Sequence, residues 1–213
     1  MVSTSSVVGA ATAQGLAVCL AVLGLPTWTA LGALEDRHPA NLGIVTGVVV
    51  MLMLVLHVLY PLLSPQASLR RAGASVAITI AAIALFHVVL IFFGAPVLDL
   101  IDRTLMLATL LAFLCVLPLT TAVGLASFDS YVETVLHQRW RSHDEQQATC
   151  TFLGTLFGAY IGALLLPLDW DRPWQQWPLP CVYGGVYGHT LGLLVSTLWH
   201  VATSSHGIHK RYD

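Results

Sequence analysis

The sequence predicts an all-α membrane protein: six transmembrane helices in a compact bundle, closed by a C-terminal helical hairpin packed on glycine. Three observations carry that expectation. Of the 213 residues, 56% are hydrophobic and 9% charged, whereas a soluble domain carries about a quarter charged residues. The apolar residues fall into runs of roughly the 20 residues that about 30 Å of hydrocarbon requires. In the last two runs glycine recurs every fourth position, at Gly154, Gly158 and Gly162 and again at Gly184, Gly188 and Gly192.

The spans follow in order as a single transmembrane domain covering 1–213. The first is expected over 8–32. The opening ten residues lack the basic start of a signal peptide, and the apolar run behind them is too long for one. The loop Glu35-Asp36-Arg37-His38-Pro39 turns the chain into a second span over 43–63, which ends among Pro61 and Pro65. Arg70 and Arg71 precede a third span, 72–93, closed by Phe93-Gly94-Ala95-Pro96. A charged link with Asp99, Asp102 and Arg103 leads to a fourth, 104–126. Residues 127–147 form the longest polar stretch, and the fifth and sixth spans are the hairpin arms, 148–167 and 180–202.

In lipid no hydrophobic force drives helices together, so small residues must let two backbones approach until dispersion and weak Cα–H···O contacts accumulate. Residues four apart stack on one helix face. The two glycine ladders therefore predict close antiparallel packing of the hairpin arms.

The loop between the arms, Leu168-Asp169-Trp170-Asp171-Arg172-Pro173-Trp174-Gln175-Gln176-Trp177-Pro178, concentrates charge and indole at the membrane edge. Tryptophan favours the headgroup layer, where its ring is half apolar and its N–H can be wet. Proline removes donors and fixes φ, so the loop should be semi-rigid. Two readings stay open for it: an interfacial anchor with solvated charges, or a preorganised surface for a partner, since aromatic and arginine residues also build interface hot spots.

Cationic residues set the orientation. With six spans, one side holds Arg70, Arg71, Arg139, Arg141, Lys210 and Arg211, and the other holds Arg37, Arg103 and Arg172. Both termini should face the cytoplasm, with the tryptophan loop and the Glu35–Asp36 and Asp99–Arg103 loops on the lumenal or exterior side. A net charge of −2 gives no case for nucleic-acid binding, and Cys19, Cys115, Cys150 and Cys181 show no metal or disulfide spacing.

Ionisable groups inside a bilayer are functional candidates. Counted upright from the lumenal boundary, His87 lies about 9 Å, His189 about 13 Å and His57 about 21 Å deep. His87 and His189 can share a layer, His57 lies apart, and neutral histidines bonded across helices are the favoured reading. Asp99, Asp102, Asp169 and Asp171 offer oxygens for a divalent ion or a lipid amine, and Arg103 or Arg172 suits a phosphate. The chain carries no HExxH, and Gly124-Leu125-Ala126-Ser127 is no nucleophile elbow. No catalytic residue, metal site or cofactor is expected.

The tryptophan loop from Leu168 to Gln175, with Trp177-Pro178 and Cys181 beyond it, closely resembles the signature of the Pig-F family of GPI-anchor biosynthesis proteins. Gly158-Ala159-Tyr160-Ile161-Gly162-Ala163, the Phe93-Gly94-Ala95-Pro96 turn, Thr104 and Leu117-Pro118 look like the same family, so the resemblance covers 86–202. It implies an endoplasmic-reticulum protein that binds and stabilises a catalytic GPI ethanolamine phosphate transferase. That partner moves ethanolamine phosphate from phosphatidylethanolamine to the second or third mannose of the GPI precursor, using its own metal-dependent lumenal domain. The candidate partner- or lipid-binding residues are then Asp169, Trp170, Asp171, Arg172, Pro173, Trp174, Trp177, Asp99, Asp102 and Arg103, and membrane phospholipids are expected neighbours. The alternative is a lipid-binding or directly catalytic protein using the same acids and arginines. A transporter is a weaker third reading, because paired discontinuous helices are missing.

Overall fold

A computed structural model describes residues 4–24, 33–59, 62, 68–96, 98–168 and 171–209. Among them the regular structure is helical. Helix α1 (Thr4–Cys19) runs into a π-helical turn, Leu20–Gly24. Helix α2 (Ala40–Leu54) likewise widens at Val55–Leu59. Then come α3 (Leu69–Phe92), α4 (Ile101–Leu111), a π segment at Ala112–Val116, α5 (Leu117–Val123), α6 (Phe128–Val135), α7 (His143–Leu164) and α8 (Leu179–His209).

Local chemistry sets the helix ends. The Ser68 hydroxyl accepts from Arg71 N at 3.4 Å and starts α3. At the far end of α3, Ala95 N bonds Leu90 O and Gly94 N bonds Ile91 O, both at 3.0 Å. This is a Schellman closure, and it requires the left-handed residue that Gly94 supplies at φ 98°. Helix α7 opens on Ser142, whose hydroxyl takes Glu145 N at 3.2 Å, while the Glu145 carboxylate takes Arg141 N at 2.7 Å. Asp144 and Glu145 in that first turn also suit the positive end of the helix dipole. Pro118 cannot donate to the carbonyl one turn back, and the chain widens into the π segment immediately before it instead of breaking.

Among the described residues, three helices are long and apolar enough to cross a membrane: Ala40–Leu59, Leu69–Phe92 and Ile101–Val123, with Val8–Gly24 a shorter apolar helix. Helices α7 and α8, with 22 and 31 residues, have the length to span. Glycine, threonine and histidine take the place of leucine along them and lower their apolar content. The helices start a few residues ahead of the expected spans: α3 at Leu69, where a span was expected from 72, and α7 at His143, where the fifth span was expected from 148. The polar stretch 127–147 holds the short helix α6, which its composition did not announce.

Ile101–Val123 is the hub, 67% buried against 17% for Leu69–Phe92. Leu107, Leu110, Leu114 and Leu117 pack there against Leu42, Val45, Val49 and Met53 of α2, Val18 of α1 and Val22 of the π turn behind it, and Leu179, Val182 and Val186 of α8. The α2 set recurs at three- and four-residue steps, as one buried helix face requires. Helix α3 instead presents Ile80, Leu85 and Phe92 outward.

Helices α7 and α8 meet backbone to backbone. A methyl group added at Gly154 would run into the Gly188 carbonyl, one at Gly158 into Gly184, and one at Gly162 into Pro180. The paired numbers fall on one helix as they rise on the other, so the two helices run antiparallel. Gly192 lies against the Cys150 carbonyl, extending the approach one turn further. Helix α1 covers the flank of α8, with Gly15 against Thr190 and Leu193, and Cys19 Sγ 3.2 Å from Thr190 Oγ1.

Candidate functional site

Alternating helix directions bring the 33–39, 93–100 and 165–178 connections to one end of the bundle, and Trp177 is where they meet. Its carbonyl accepts from His38 Nε2 at 2.9 Å, and its indole N–H donates to Thr104 Oγ1 at 3.0 Å. Thr104, fully buried, passes its own hydroxyl proton to Leu100 O at 3.0 Å. A third tie joins Tyr183 in α8 to the first loop, its hydroxyl donating to the Glu35 carboxylate at 2.9 Å. Within that loop Asp36 Oδ2 takes Ala33 N at 2.6 Å, and Asn41 Nδ2 bonds Ala33 O at 2.9 Å.

Gln175 holds the tryptophan loop from inside. Its amide N–H groups bond Leu165 O at 3.0 Å and Leu168 O at 2.7 Å, and its carbonyl oxygen takes Arg172 N at 3.1 Å. One side chain thus satisfies three backbone groups that no helix serves. Pro173–Gln175 forms a single 3₁₀ turn, with φ pre-set by Pro173. The result is a fixed rim: Asp171, Arg172 and Pro173 are exposed, while Trp174 and Trp177 are half-buried. Asp171 and Arg172 edge a hollow of about 350 Å³ shared with Leu166, Leu168, Gln175 and Gln176.

The other sequence candidates divide. Asp99 and Asp102 are exposed and Arg103 is half-buried. Asp102 and Arg103 both act electrostatically on His38, so they belong to the Trp177 cluster. Asp169 and Trp170 lie outside the described residues. His38 is held below its ordinary value of 6.5, chiefly by burial and further by Arg103; the Trp177 carbonyl and Asp102 pull the other way. Only an N–H can donate to a carbonyl, so the neutral ring carries its proton on Nε2, and Nδ1 is buried without a partner.

Sequence reasoning missed the roles of Glu35, His38, Gln175 and Tyr183. Glu35 and His38 carried a usable signal, since the span count already places their loop beside the tryptophan loop.

The membrane histidines part ways. His189 is fully buried between Gln14 Nε2 and Thr155 Oγ1, each 3.3 Å from a ring nitrogen. His57 Nε2 is buried without a partner among the described residues. Among the described residues, no three His, Cys, Asp or Glu side chains come together as a metal would need.

These features define a helical membrane-type bundle that fixes one end as a hydrogen-bonded platform with charged and aromatic residues at its rim. The chain belongs to the GPI biosynthesis protein family Pig-F, whose family model matches residues 16–197. That match takes in the end of α1 and all of α2, beyond the reach of the loop motifs.

Among its relatives is the protein named "GPI ethanolamine phosphate transferase, stabilizing subunit" of Homo sapiens, 30% identical over 173 residues, covering 77% of each chain. The Mus musculus protein of the same name is 29% identical over 149 residues, 66% of this chain and 68% of its own. "Glycosylphosphatidylinositol anchor biosynthesis protein 11" of Yarrowia lipolytica is 36% identical over 132 residues, 59% of this chain and 57% of its own. No solved structure matches the chain.

Proposed function

We propose that this protein is the non-catalytic stabilising subunit of a GPI ethanolamine phosphate transferase in the endoplasmic-reticulum membrane. It supports transfer of ethanolamine phosphate from phosphatidylethanolamine to a mannose of the GPI precursor. The observation that carries this reading is the 30% identity, over 77% of both chains, to a relative whose name states that role. The geometry agrees with docking. Hydrogen bonds from Gln175, His38 and Trp177 are spent on holding a loop still, which lowers the ordering cost of an interface built on its rim. The chemistry then belongs to the partner, a multi-pass membrane protein.

The topology belongs to the same proposal. Six spans put both termini and the arginine-richer end in the cytoplasm, in keeping with the tendency of cationic loops to stay there. The Trp177 platform then faces the lumen, with membrane phospholipids around the exposed apolar faces. Asp171, Arg172, Pro173 and Trp174 form the docking rim together with Asp99, Asp102 and Arg103, and the glycine pairing of α7 and α8 holds that rim in place.

Mild-detergent purification of the tagged chain, followed by mass spectrometry, tests the assignment. A multi-pass transferase recovered in equal amount is the expected result; a clean monomer with bound phospholipid would sink it. Asp169→Asn with Asp171→Asn then separates docking from chemistry. Loss of the complex supports the rim as a dock. Lost turnover with full complex yield would favour the lipid-binding alternative, for which the hollow beside Asp171 and Arg172 is the place to look.

A further inference from the structure

The end of the bundle away from Trp177 contains a second constructed feature. Helices α1, α2, α3, α5 and α7 diverge there around a cavity of about 830 Å³, within the roughly 300–1,000 Å³ range of small-molecule sites. Its lining is polar where a bilayer bundle would ordinarily be apolar. Gln14, Ser75, Thr120 and Thr151 border it, and their exposures are 8%, 4%, 2% and 1%. The Thr120 and Thr151 hydroxyls donate to carbonyls of their own helices, Leu117 O at 3.1 Å and Ala148 O at 3.0 Å, and each keeps acceptor lone pairs that a ligand donor or water can use. Gln14 also bonds His189, so the cavity floor joins the polar chain between α1, α7 and α8.

The mouth carries Arg70, Arg71 and Asp144. Among the described residues this end of the molecule has two further arginines, each already engaged: Arg139 with Glu133 at 3.6 Å, and Arg141 with Glu145 at 3.2 Å. Among the described residues, Arg70, Arg71 and Asp144 make no ion pair. Arg70 and Arg71 moreover occupy the first turn of α3, where the helix dipole disfavours cations and favours an anion. Two guanidinium groups and a helix start call for a phosphate, which arginine binds through paired N–H donors. A carboxylate on the same rim would repel a plain anion and attract an ammonium.

Depth agrees with a lipid. Ser75 lies about 8 Å along α3 from Arg70, and Thr151 about 10 Å along α7 from Asp144. The headgroup layer on one side of a bilayer is roughly 5–7 Å thick. A ligand with its charges at the mouth therefore puts its glycerol and ester oxygens at the level of Ser75 and Thr151, with Gln14 lining the same cavity.

We infer that this cavity is a phospholipid-headgroup site, distinct from the Trp177 platform and at the opposite end of the bundle. It takes a phosphate on Arg70 and Arg71, an ammonium on Asp144, and ester oxygens against the Gln14, Ser75 and Thr151 lining. The occupant is a zwitterionic aminophospholipid whose acyl chains leave between the helices.

Native mass spectrometry of the full chain in mild detergent tests it, with phosphatidylethanolamine, phosphatidylglycerol and diacylglycerol supplied at equal concentration. One phosphatidylethanolamine should be retained per chain, and Arg70→Gln with Arg71→Gln should reduce it about tenfold or more, as loss of charge-assisted phosphate bonds does. Asp144→Asn should shift preference toward phosphatidylglycerol. Ala122→Phe, which fills the cavity from the α5 wall without touching a charge, should also empty it; a melting curve for each variant confirms folding. Unchanged retention in the double arginine variant, or equal binding of diacylglycerol, overturns the inference. Displacement of the lipid by millimolar phosphoethanolamine would give the cavity to a soluble phosphate ester and overturn the lipid assignment.

Discussion

His38 and Trp177, 139 residues apart, are joined by a 2.9 Å bond from the imidazole Nε2–H to the tryptophan carbonyl. The indole of Trp177 in turn reaches Thr104, so one residue couples the 33–39 and 165–178 connections to the first turn of α4. Trp177→Phe keeps most of the ring but leaves the Thr104 oxygen without its donor. A lost neutral bond beside a buried acceptor costs about 1–3 kcal/mol. In a chain of this size that lowers the melting temperature by roughly 2–10 °C. Thermal unfolding in detergent reads it, and an unchanged midpoint would mean that the indole bond to Thr104 does not hold the loops together.

The same bond makes the platform sensitive to acid. Burial and Arg103 hold His38 below its ordinary 6.5, so the folded protein binds fewer protons there than the unfolded chain. Its stabilising contribution is complete above 6.5 and is lost as the pH falls through the lower folded value. Protonation would also place a second proton on Nδ1, which has no partner. Melting measured at pH 7.5 and at pH 5.5 should show a smaller acid loss in His38→Gln than in the parent, because the amide keeps an N–H donor and cannot titrate. Equal acid losses in the two proteins would remove His38 from the account.

What the sequence made legible was local. The Phe93–Pro96 turn carries its own instructions, since left-handed Gly94 lets its own N–H reach Ile91 O and that of Ala95 reach Leu90 O. The four-residue glycine step identifies a face, and the structure brings Gly158 and Gly184 together on such faces. The partners of Trp177 were not legible, because His38 and Thr104 lie 139 and 73 residues away and no spacing rule connects them. Pro118 was visible, but whether a chain answers a proline by a break, a kink or a π turn depends on the surrounding packing. The cavity beside Arg70 was invisible for the same reason: five segments each contribute one wall.

The glycines of α7 and α8 should not be interchangeable with others in the chain. Gly158→Ala would drive a methyl into the Gly184 carbonyl, and Gly188→Ala one into that of Gly154. Backbone cannot rotate aside as a side chain can, so each should cost about 1–3 kcal/mol or more. Gly47→Ala and Gly73→Ala meet nothing within 4 Å and should be neutral or stabilising by up to about 1 kcal/mol. Gly158→Leu with Gly188→Leu should force α7 from α8 and lower the abundance of the partner transferase in cells. Melting curves for the four alanine variants, with partner immunoblots for the double leucine variant, provide the check. If Gly158→Ala and Gly47→Ala behave alike, close packing does not hold the pair.

Tyr183 and Glu35 supply the last tie between α8 and the first loop. A carboxylate at a membrane edge is expensive to desolvate, and here the phenol donates to it at 2.9 Å. Hydrogen bonds to a charged group contribute about 1.5–3 kcal/mol, so Tyr183→Phe should destabilise by an amount in that range. Glu35→Gln should cost less, since an amide oxygen still accepts from the hydroxyl. A double-mutant cycle should return a coupling of about 0.5–3 kcal/mol, as for residues in direct contact. Because the bond anchors the Ala33–Pro39 turn, Tyr183→Phe should also speed hydrogen exchange at the Asp36 amide, which otherwise bonds Ala33 O at 3.1 Å. Additive stabilities with unaltered exchange at that amide would show that His38 alone holds the first loop to the platform.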